Sequence, residues 1–300
     1  MAPRRSAKPR SEAESPTNLS IQDLLLNRSK PFSQKQQILV SFMARNYQKV
    51  AFMNVPELSK ETKVSQATIV RLAAMLGFKG YPEFQKAVQR IVSQDLTTVE
   101  RLRLSVDAHE FDHPFQRTLK MDMRNLLRLY QHLSTAEVEE IAGRILRARH
   151  VVVAGFMSSA PLAQYFGYSL QRLLRHVSTF TDQTTAARRA VFDLTRADLL
   201  IGFAFPRYPE GMVGLLKAAS AAGTPRMLFT DTSTSPIASL ASYPVSVPFE
   251  LLSFVDSLAA PLSLLATIIA EIVRRAPEQT AENLKAFEKM AARYGLFHHD

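Results

Sequence analysis

Val64-Ser65-Gln66-Ala67-Thr68-Ile69-Val70-Arg71-Leu72-Ala73-Ala74-Met75-Leu76-Gly77-Phe78-Lys79-Gly80-Tyr81 is the stretch that decides how the first third of the chain is read. Ser65 suits an N-cap, because a serine hydroxyl accepts from an amide that the first helical turn leaves unpaired. Behind it Ile69, Leu72, Ala73 and Leu76 recur at helical spacing and form one apolar stripe. Gln66, Thr68 and Arg71 fall off that stripe, and Gly77 stops the helix. Upstream, Val55 to about Thr62 makes another short helix, with Asn54 and Glu57 spaced as a cap and its reciprocal partner. Two short helices joined by a tight turn, the second presenting polar and basic side chains, predict a helix-turn-helix that can enter a DNA major groove. On that geometry Ser65, Gln66, Thr68 and Arg71 are candidate DNA contacts, with Lys63 and Lys79 positioning the phosphate backbone.

Charge is distributed as that reading requires. The formal net charge is +10; residues 20–96 hold 11 Lys/Arg against 5 Asp/Glu, whereas residues 101–300 hold 22 against 19. A basic small domain on a nearly neutral larger one suits a polyanion binder coupled to something else. The chain has no cysteine, which excludes disulfides, thiolate metal sites and cysteine nucleophiles. Residues 1–10 carry charge without the apolar core of a signal peptide and read as part of a basic tail. The longest apolar run, Leu258 to Ile269 and on to Val273, contains Pro261 and ends around Glu271; it is short for a membrane span and reads as a buried or subunit-interface helix. A cytoplasmic protein is expected.

The first domain reads as all-helical. Ser33 and Gln36 resemble a capping box, followed by Ile38, Leu39, Phe42, Met43 and Val50 as a buried face. Pro82 sits where a helix can begin, and Phe84, Val88, Ile91 and Val92 continue it. Residues 97–113 show no clear stripe and read as a linker or a frayed helical extension. Pro114 to His132 is a helix with Leu119, Met123, Leu126, Leu127 and Tyr130 on its apolar side, and Ser134 to Glu137 caps another that reaches about Ala148.

The period then changes. His150–Gly155, Val177–Phe180, Asp198–Phe205, Arg226–Thr230 and Pro244–Val247 read as strands, with helices over about 159–174, 184–194 and 209–222 between them. Strands alternating with helices imply a three-layer α/β domain whose parallel sheet is covered on both faces. The predicted division is a basic tail over 1–19, a DNA-binding domain over 20–96, a helical linker over 97–133, an α/β domain over 134–276, and a C-terminal helix and tail over 277–300.

In such sheets ligands bind beyond the carboxyl ends of the strands. The first strand ends in Gly155-Phe156-Met157-Ser158-Ser159, a helix start whose amides and dipole favour an anion. After the third comes Phe205-Pro206-Arg207-Tyr208, where Arg207 offers a guanidinium fork. After the fourth comes Thr230-Asp231-Thr232-Ser233-Thr234-Ser235-Pro236. Ser158, Ser159, Arg207, Tyr208, Thr230 and Ser235 are therefore the candidate effector-binding residues, because three such loops converge on one edge.

Over roughly residues 20–275 the chain resembles RpiR-type transcriptional regulators. Val64 to Arg71 followed by Leu76 to Tyr81 is similar to the family's recognition-helix block. Gly155 to Ser159, Asp198 to Phe205, and Gly211 to Gly223 before Thr224-Pro225 resemble the sugar isomerase (SIS) fold. The resemblance implies a domain that binds a phosphorylated sugar or related metabolite and controls DNA binding, more in the manner of a repressor, with no cofactor. The chain departs from the family where a loop rich in Ser, Gly and Thr is replaced by Ala204-Phe205-Pro206-Arg207-Tyr208-Pro209-Glu210, which is similar to a Phe-Pro-Arg-Tyr subgroup. A guanidinium and a phenol then replace hydroxyls and amides as anion ligands.

Two other readings compete. His109-Glu110-Phe111-Asp112-His113 matches the spacing of a zinc-protease helix, but Pro114 disfavours helical geometry at His113 and no third ligand follows. A sugar-phosphate isomerase would need a base beside a carbonyl; Glu210, Asp231 and Glu250 are the acidic candidates, none in a catalytic motif. His298 and His299 read as a solvated end. The apolar helices over 258–273 and 166–174 suggest a symmetric homodimer or homotetramer, whose paired recognition helices would read an inverted repeat.

Overall fold

The computed structural model describes residues 32–95, 97–107, 113–233, 235–249 and 256–296. The basic tail, His109–Asp112, Glu250 and His298–His299 lie outside these residues. Helix α1 (Gln34–Arg45) starts behind Ser33, whose amide donates to Gln36 Oε1 at 2.9 Å. Its inward face is Leu39, Val40 and Met43, not Ile38, which is exposed. The correction follows from geometry, since Ile38 lies about 100° round the helix from Leu39 and on the far side from Val40. A single turn, α2 (Tyr47–Val50), leads to α3 (Val55–Thr62), where Asn54 Oδ1 accepts from the Glu57 amide at 2.9 Å and Glu57 Oε2 from the Asn54 amide at 2.7 Å. Lys63, at φ 56°, turns the chain into α4 (Gln66–Met75), and Gly77 at φ 92° takes it out again. Helix α5 (Tyr81–Asp95) closes the domain: the buried Tyr81 hydroxyl and Gln85 Nε2 both donate to the Met53 carbonyl at 2.8 Å, and Gln89 Nε2 to that of Ala51 at 2.8 Å.

The segment after α5 contains a formed helix, α6 (Thr98–Asp107), despite its lack of a stripe. Thr97 starts it, with its amide on Glu100 Oε2 at 2.7 Å and its Oγ1 accepting from the Glu100 amide at 3.3 Å. In α7 (Pro114–His132) the inward face is Met121, Asn125 and Leu129. The row read as its apolar side, Leu119, Met123, Leu126, Leu127 and Tyr130, is exposed. His113 caps this helix, its Nδ1 accepting from the Phe115 amide at 3.2 Å, which gives that imidazole a role other than metal ligation. Helix α8 (Thr135–Arg147) opens on the expected Ser134–Glu137 capping box.

The α/β domain is a five-stranded parallel sheet of β1 (Val151–Gly155), β2 (Val177–Phe180), β3 (Leu199–Phe203), β4 (Arg226–Thr230) and β5 (Tyr243–Ser246), in the order β2-β1-β3-β4-β5. The connecting helices are α9 (Ala160–Leu173), α10 (Thr185–Phe192) and α11 (Glu210–Ala221); α12 (Ala259–Arg275) and α13 (Pro277–Arg293) follow the sheet. Side chains alternate between the faces of each strand. Val151, Val153, Ile201, Phe203 and Phe229 pack with α8, α9 and α12, whereas Val152, Ala154, Leu200 and Leu228 pack with α10 and α11. The apolar helices proposed as subunit contacts supply the first of these cores: Phe166, Leu170, Leu264, Leu265, Ile268 and Ile272 are all buried within the protomer. Their hydrophobicity is therefore satisfied without a second copy. No helix among the described residues is long and apolar enough to cross a membrane.

Candidate functional site

Helix α4 sorts its residues as the spacing predicts. Ile69, Leu72, Ala73 and Leu76 are buried against neighbouring helices, while Lys63, Ser65, Gln66, Arg71 and Lys79 are exposed and Thr68 is half-buried. The fine structure differs at Ser65. Its Oγ lies 2.9 Å from Thr68 Oγ1 and caps no amide, while the Thr68 amide donates to the Ser65 carbonyl at 2.9 Å. A hydroxyl three residues on has taken the partner that an amide would have had. Arg71 Nε donates to the Ala67 carbonyl at 3.2 Å, which lays its guanidinium along the outer face. Val70 is also exposed there, beside Ala67 and Ala74. Sequence reasoning passed over it because it is apolar, although its place off the buried stripe was the available signal; an apolar side chain on a reading helix suits a thymine methyl.

The second cluster stands at the carboxyl edge of the sheet. The chain runs from β1 out to β2 and returns past β1 to β3, so the strand order reverses between β1 and β3. That reversal leaves a crevice where ligands of open α/β sheets bind. Ser158 and Ser159 follow β1, Arg207 and Tyr208 follow β3, and Thr230 and Ser235 flank the end of β4, so all six expected residues come to one edge. Their environments are unequal. Ser158 is exposed in the 3-10 turn Met157–Ser159, whereas Ser159 is buried and its amide already donates to the Phe156 carbonyl at 3.1 Å. That amide is accordingly not a free anion donor. A Cβ on Gly155 would stand 2.6 Å from the Ser159 carbonyl oxygen, so only glycine lets the turn fold back this tightly.

Tyr208 donates its hydroxyl to Asp231 Oδ1 at 2.8 Å, and the buried Thr230 Oγ1 lies 3.1 Å from the same carboxylate oxygen and 3.2 Å from Ser235 Oγ. A phenol, two hydroxyls and a carboxylate thus form one network, in which Asp231 is the acceptor a polyol would meet. Arg207, at φ 70°, is exposed and donates through Nη1 to Thr98 Oγ1 of α6 at 2.8 Å. Of the acidic residues considered for catalysis, Asp231 is engaged by these hydroxyls and Glu210 is exposed at the start of α11. A groove of about 710 Å³ between α10 and α11 lies beside the edge; Gln183, Arg188, Arg189, Phe192, Glu210 and Gly211 line it, and none of the six expected residues does. Among the described residues no group of three His, Cys, Asp or Glu is placed to hold a metal ion.

A helical domain that turns the polar face of α4 outward is thus joined to an α/β domain with a five-stranded parallel sheet. Residues 20–95 match the helix-turn-helix domain of the rpiR family, and residues 144–270 match the SIS domain. Together the two matches span more than half of the chain, which belongs to the RpiR-type transcriptional regulators. An uncharacterized HTH-type transcriptional regulator from the aarA 3′ region of Providencia stuartii is 26% identical over 153 residues, 51% of this chain and 52% of that protein. The chain thus spans about half the length of that relative. A second uncharacterized HTH-type regulator, from Haemophilus influenzae, is 25% identical over 65% of this chain and 68% of its own length. Among solved structures, the sugar isomerase domain of an RpiR transcription factor from Sphaerobacter thermophilus is 26% identical, with a TM-score of 0.56 over 59% of this chain and 99% of that one. The Vibrio vulnificus NanR protein complexed with ManNAc-6P shares the fold over 93% of this chain and 99% of its own, at 20% identity and a TM-score of 0.57.

Proposed function

We propose that this regulator represses transcription from an operator arranged as an inverted repeat, and that a small anionic metabolite, a sugar phosphate above all, modulates that binding from the SIS domain. The observation that carries the reading is that Ser158, Arg207, the Tyr208–Asp231 pair and the Thr230–Ser235 pair follow the carboxyl ends of β1, β3 and β4, at and beside the switch point of the sheet. A guanidinium suits the phosphate, and the carboxylate–hydroxyl network suits the sugar's hydroxyls. The ManNAc-6P bound to NanR supports the ligand class. Ser65, Gln66, Thr68 and Arg71 would read the operator, with Lys63 and Lys79 on its phosphates. On this reading the chain acts in the cytoplasm as a sensor and not as an isomerase, with functional divisions near residues 96, 133 and 276.

The partner copy is best sought on α7. Leu119, Met123, Leu126 and Tyr130 follow a 4-3-4 spacing along its exposed face, the spacing by which one helix packs against another helix. A second copy of α7 supplies the same row, and a twofold makes the contact self-complementary. The whole reading is tested by selecting duplexes from a random DNA pool with the full chain, then challenging the selected complex with a panel of sugar phosphates. Selection of an inverted repeat that one member of the panel releases is the expected result. Selection of no sequence, or turnover of a sugar phosphate by the protein, overturns it.

A further inference from the structure

Arg207 makes a side-chain hydrogen bond outside the SIS fold, to the helix that follows the DNA-binding domain. Thr98 is the first residue of α6, and it stands three positions after Asp95, the last residue of α5. Its hydroxyl accepts from Arg207 Nη1 at 2.8 Å across 109 residues of sequence. One turn further along α6, Arg101 Nη2 meets Asp256 Oδ1 at 2.5 Å, with both side chains about nine-tenths buried. The next residue, Ser257, donates to Asp122 Oδ1 of α7 at 2.5 Å. Helix α6 is therefore held at two points of different character. The buried ion pair at Arg101 is a fixed pivot, since breaking it would strand a charge away from water. The Thr98 contact is an exposed bond from a guanidinium to a neutral oxygen.

We propose that Arg207 is an exchangeable latch: without ligand it holds the start of α6 through Thr98, and an anion at the sheet edge takes the guanidinium and releases that end of α6. The inference rests on the anion-site reading above and adds the route by which the site reaches the DNA-binding domain. An anionic oxygen is the stronger acceptor for a guanidinium, because charge-assisted hydrogen bonds exceed those to a neutral hydroxyl. Arg207 has its backbone in the left-handed region at φ 70°, so its side chain leaves the loop between β3 and α11 on a fixed heading, with Thr98 within reach. Thr98 Oγ1 is a suitable thing to lose, since the capping of α6 is done by Thr97 and Glu100. The helix survives release while its first turn, and with it the exit of α5, gains freedom to swing about Arg101. A ligand acts at a distance only through such a difference between two arrangements, and here the difference is one bond that either Thr98 or the anion holds.

Amide hydrogen exchange on the full chain tests this, with inorganic phosphate in the tens of millimolar as the anion probe. Thr98→Val and Arg207→Gln should each raise exchange across residues 98–102 several-fold in the absence of phosphate. In the wild type, phosphate should protect the loops around 158–159, 207–208 and 230–235 and raise exchange at 98–102 to the level of Thr98→Val, without adding to it in that variant. Phosphate that protects those loops but leaves α6 unchanged contradicts the latch and leaves the pocket standing. Phosphate that protects none of the loops overturns pocket and latch together. Wild-type exchange in Thr98→Val shows that the bond restrains nothing and likewise ends the proposal.

Discussion

Arg149 grips Asp198 with two parallel bonds, Nε to Oδ1 at 2.9 Å and Nη2 to Oδ2 at 2.8 Å, and so ties the approach to β1 to the approach to β3 at the sheet edge opposite the ligand loops. The Asp198 side chain is almost fully buried, and Thr195 adds its amide and hydroxyl to Oδ2 at 2.8 Å each. The Arg149 hydrogen bond is the main reason that this carboxyl falls from its usual 3.8 to about 2, with the Thr195 bonds adding to it against the cost of burial. A depressed folded value contributes stability above the unfolded value, and the contribution disappears as pH falls through the folded one. We expect on the order of 2 kcal/mol of stability, reduced by solvent around the exposed Arg149, to be lost between about pH 4 and pH 2. Urea unfolding across that range measures it, and Asp198→Asn should be less stable at neutral pH with a flatter acid limb.

Tyr81 should be the alkaline counterpart in the DNA-binding domain. Burial pushes its phenol far above the ordinary range, with the nearby Glu57 carboxylate adding to the shift. A raised folded value means that stability is complete below about pH 10, where an unfolded tyrosine ionises, and declines above it. Tyr81→Phe removes that decline and loses about 1 kcal/mol at neutral pH, since the Met53 carbonyl keeps Gln85 as a donor. Domain melting by circular dichroism, wild type against Tyr81→Phe at two pH values, checks both statements.

Gly155→Ala and Gly214→Ala should act in opposite directions. The first places a methyl 2.6 Å from the Ser159 carbonyl oxygen, so the Met157–Ser159 turn must move. A loss of about 1–3 kcal/mol is expected, together with loss of ligand-induced thermal stabilisation. A methyl on Gly214, within α11, meets open space, and alanine's better helix propensity should raise stability by up to about 1 kcal/mol. Thermal unfolding of the two variants distinguishes them.

What could be read in advance followed the range of the interactions. The Asn54–Glu57 box, the α4 stripe and the alternation of strands with helices are local patterns, and each recurs in the structure within a residue or two. Strand β5 begins at Tyr243 rather than Pro244, and β3 at Leu199 rather than Asp198, whose side chain is committed to Arg149. Amphipathicity did not tell which face lies inward. On α7 the row with the larger apolar residues is exposed and Met121, Asn125 and Leu129 are covered, because α12 approaches from that side. Hydrophobic strength alone marked α9 and α12 as interface helices, although a sheet covered on both faces needs that much apolar surface internally. The position of the six candidate residues at one sheet edge was legible because strand ends are. The Arg207–Thr98 bond was not, for 109 residues separate its partners and neither sits in a motif that names the other.

The α7 row makes the oligomer a mutational question. Leu126→Glu puts a charge in the centre of the exposed row of α7. Sedimentation at micromolar concentration should show the wild type as a dimer or tetramer and Leu126→Glu as a folded monomer. Val70→Ala, at an exposed position on α4, should leave the assembly intact. A wild-type monomer, or an assembly indifferent to Leu126→Glu, places the partner surface elsewhere.

The most direct measurement is the affinity of the full chain for its selected operator, with and without a saturating sugar phosphate that it binds, for the wild type, Arg71→Ala and Arg207→Ala. Arg71→Ala should weaken the operator complex by about 1–3 kcal/mol and relax sequence preference. In the wild type the ligand should change operator affinity about 5- to 150-fold, the usual span of a coupling between sites. Arg207→Ala, which lacks the bond to Thr98, should bind the operator with the affinity of the ligand-saturated wild type and show no further ligand response. Equal operator affinity with and without ligand in the wild type, or a wild-type response in Arg207→Ala, would contradict the account.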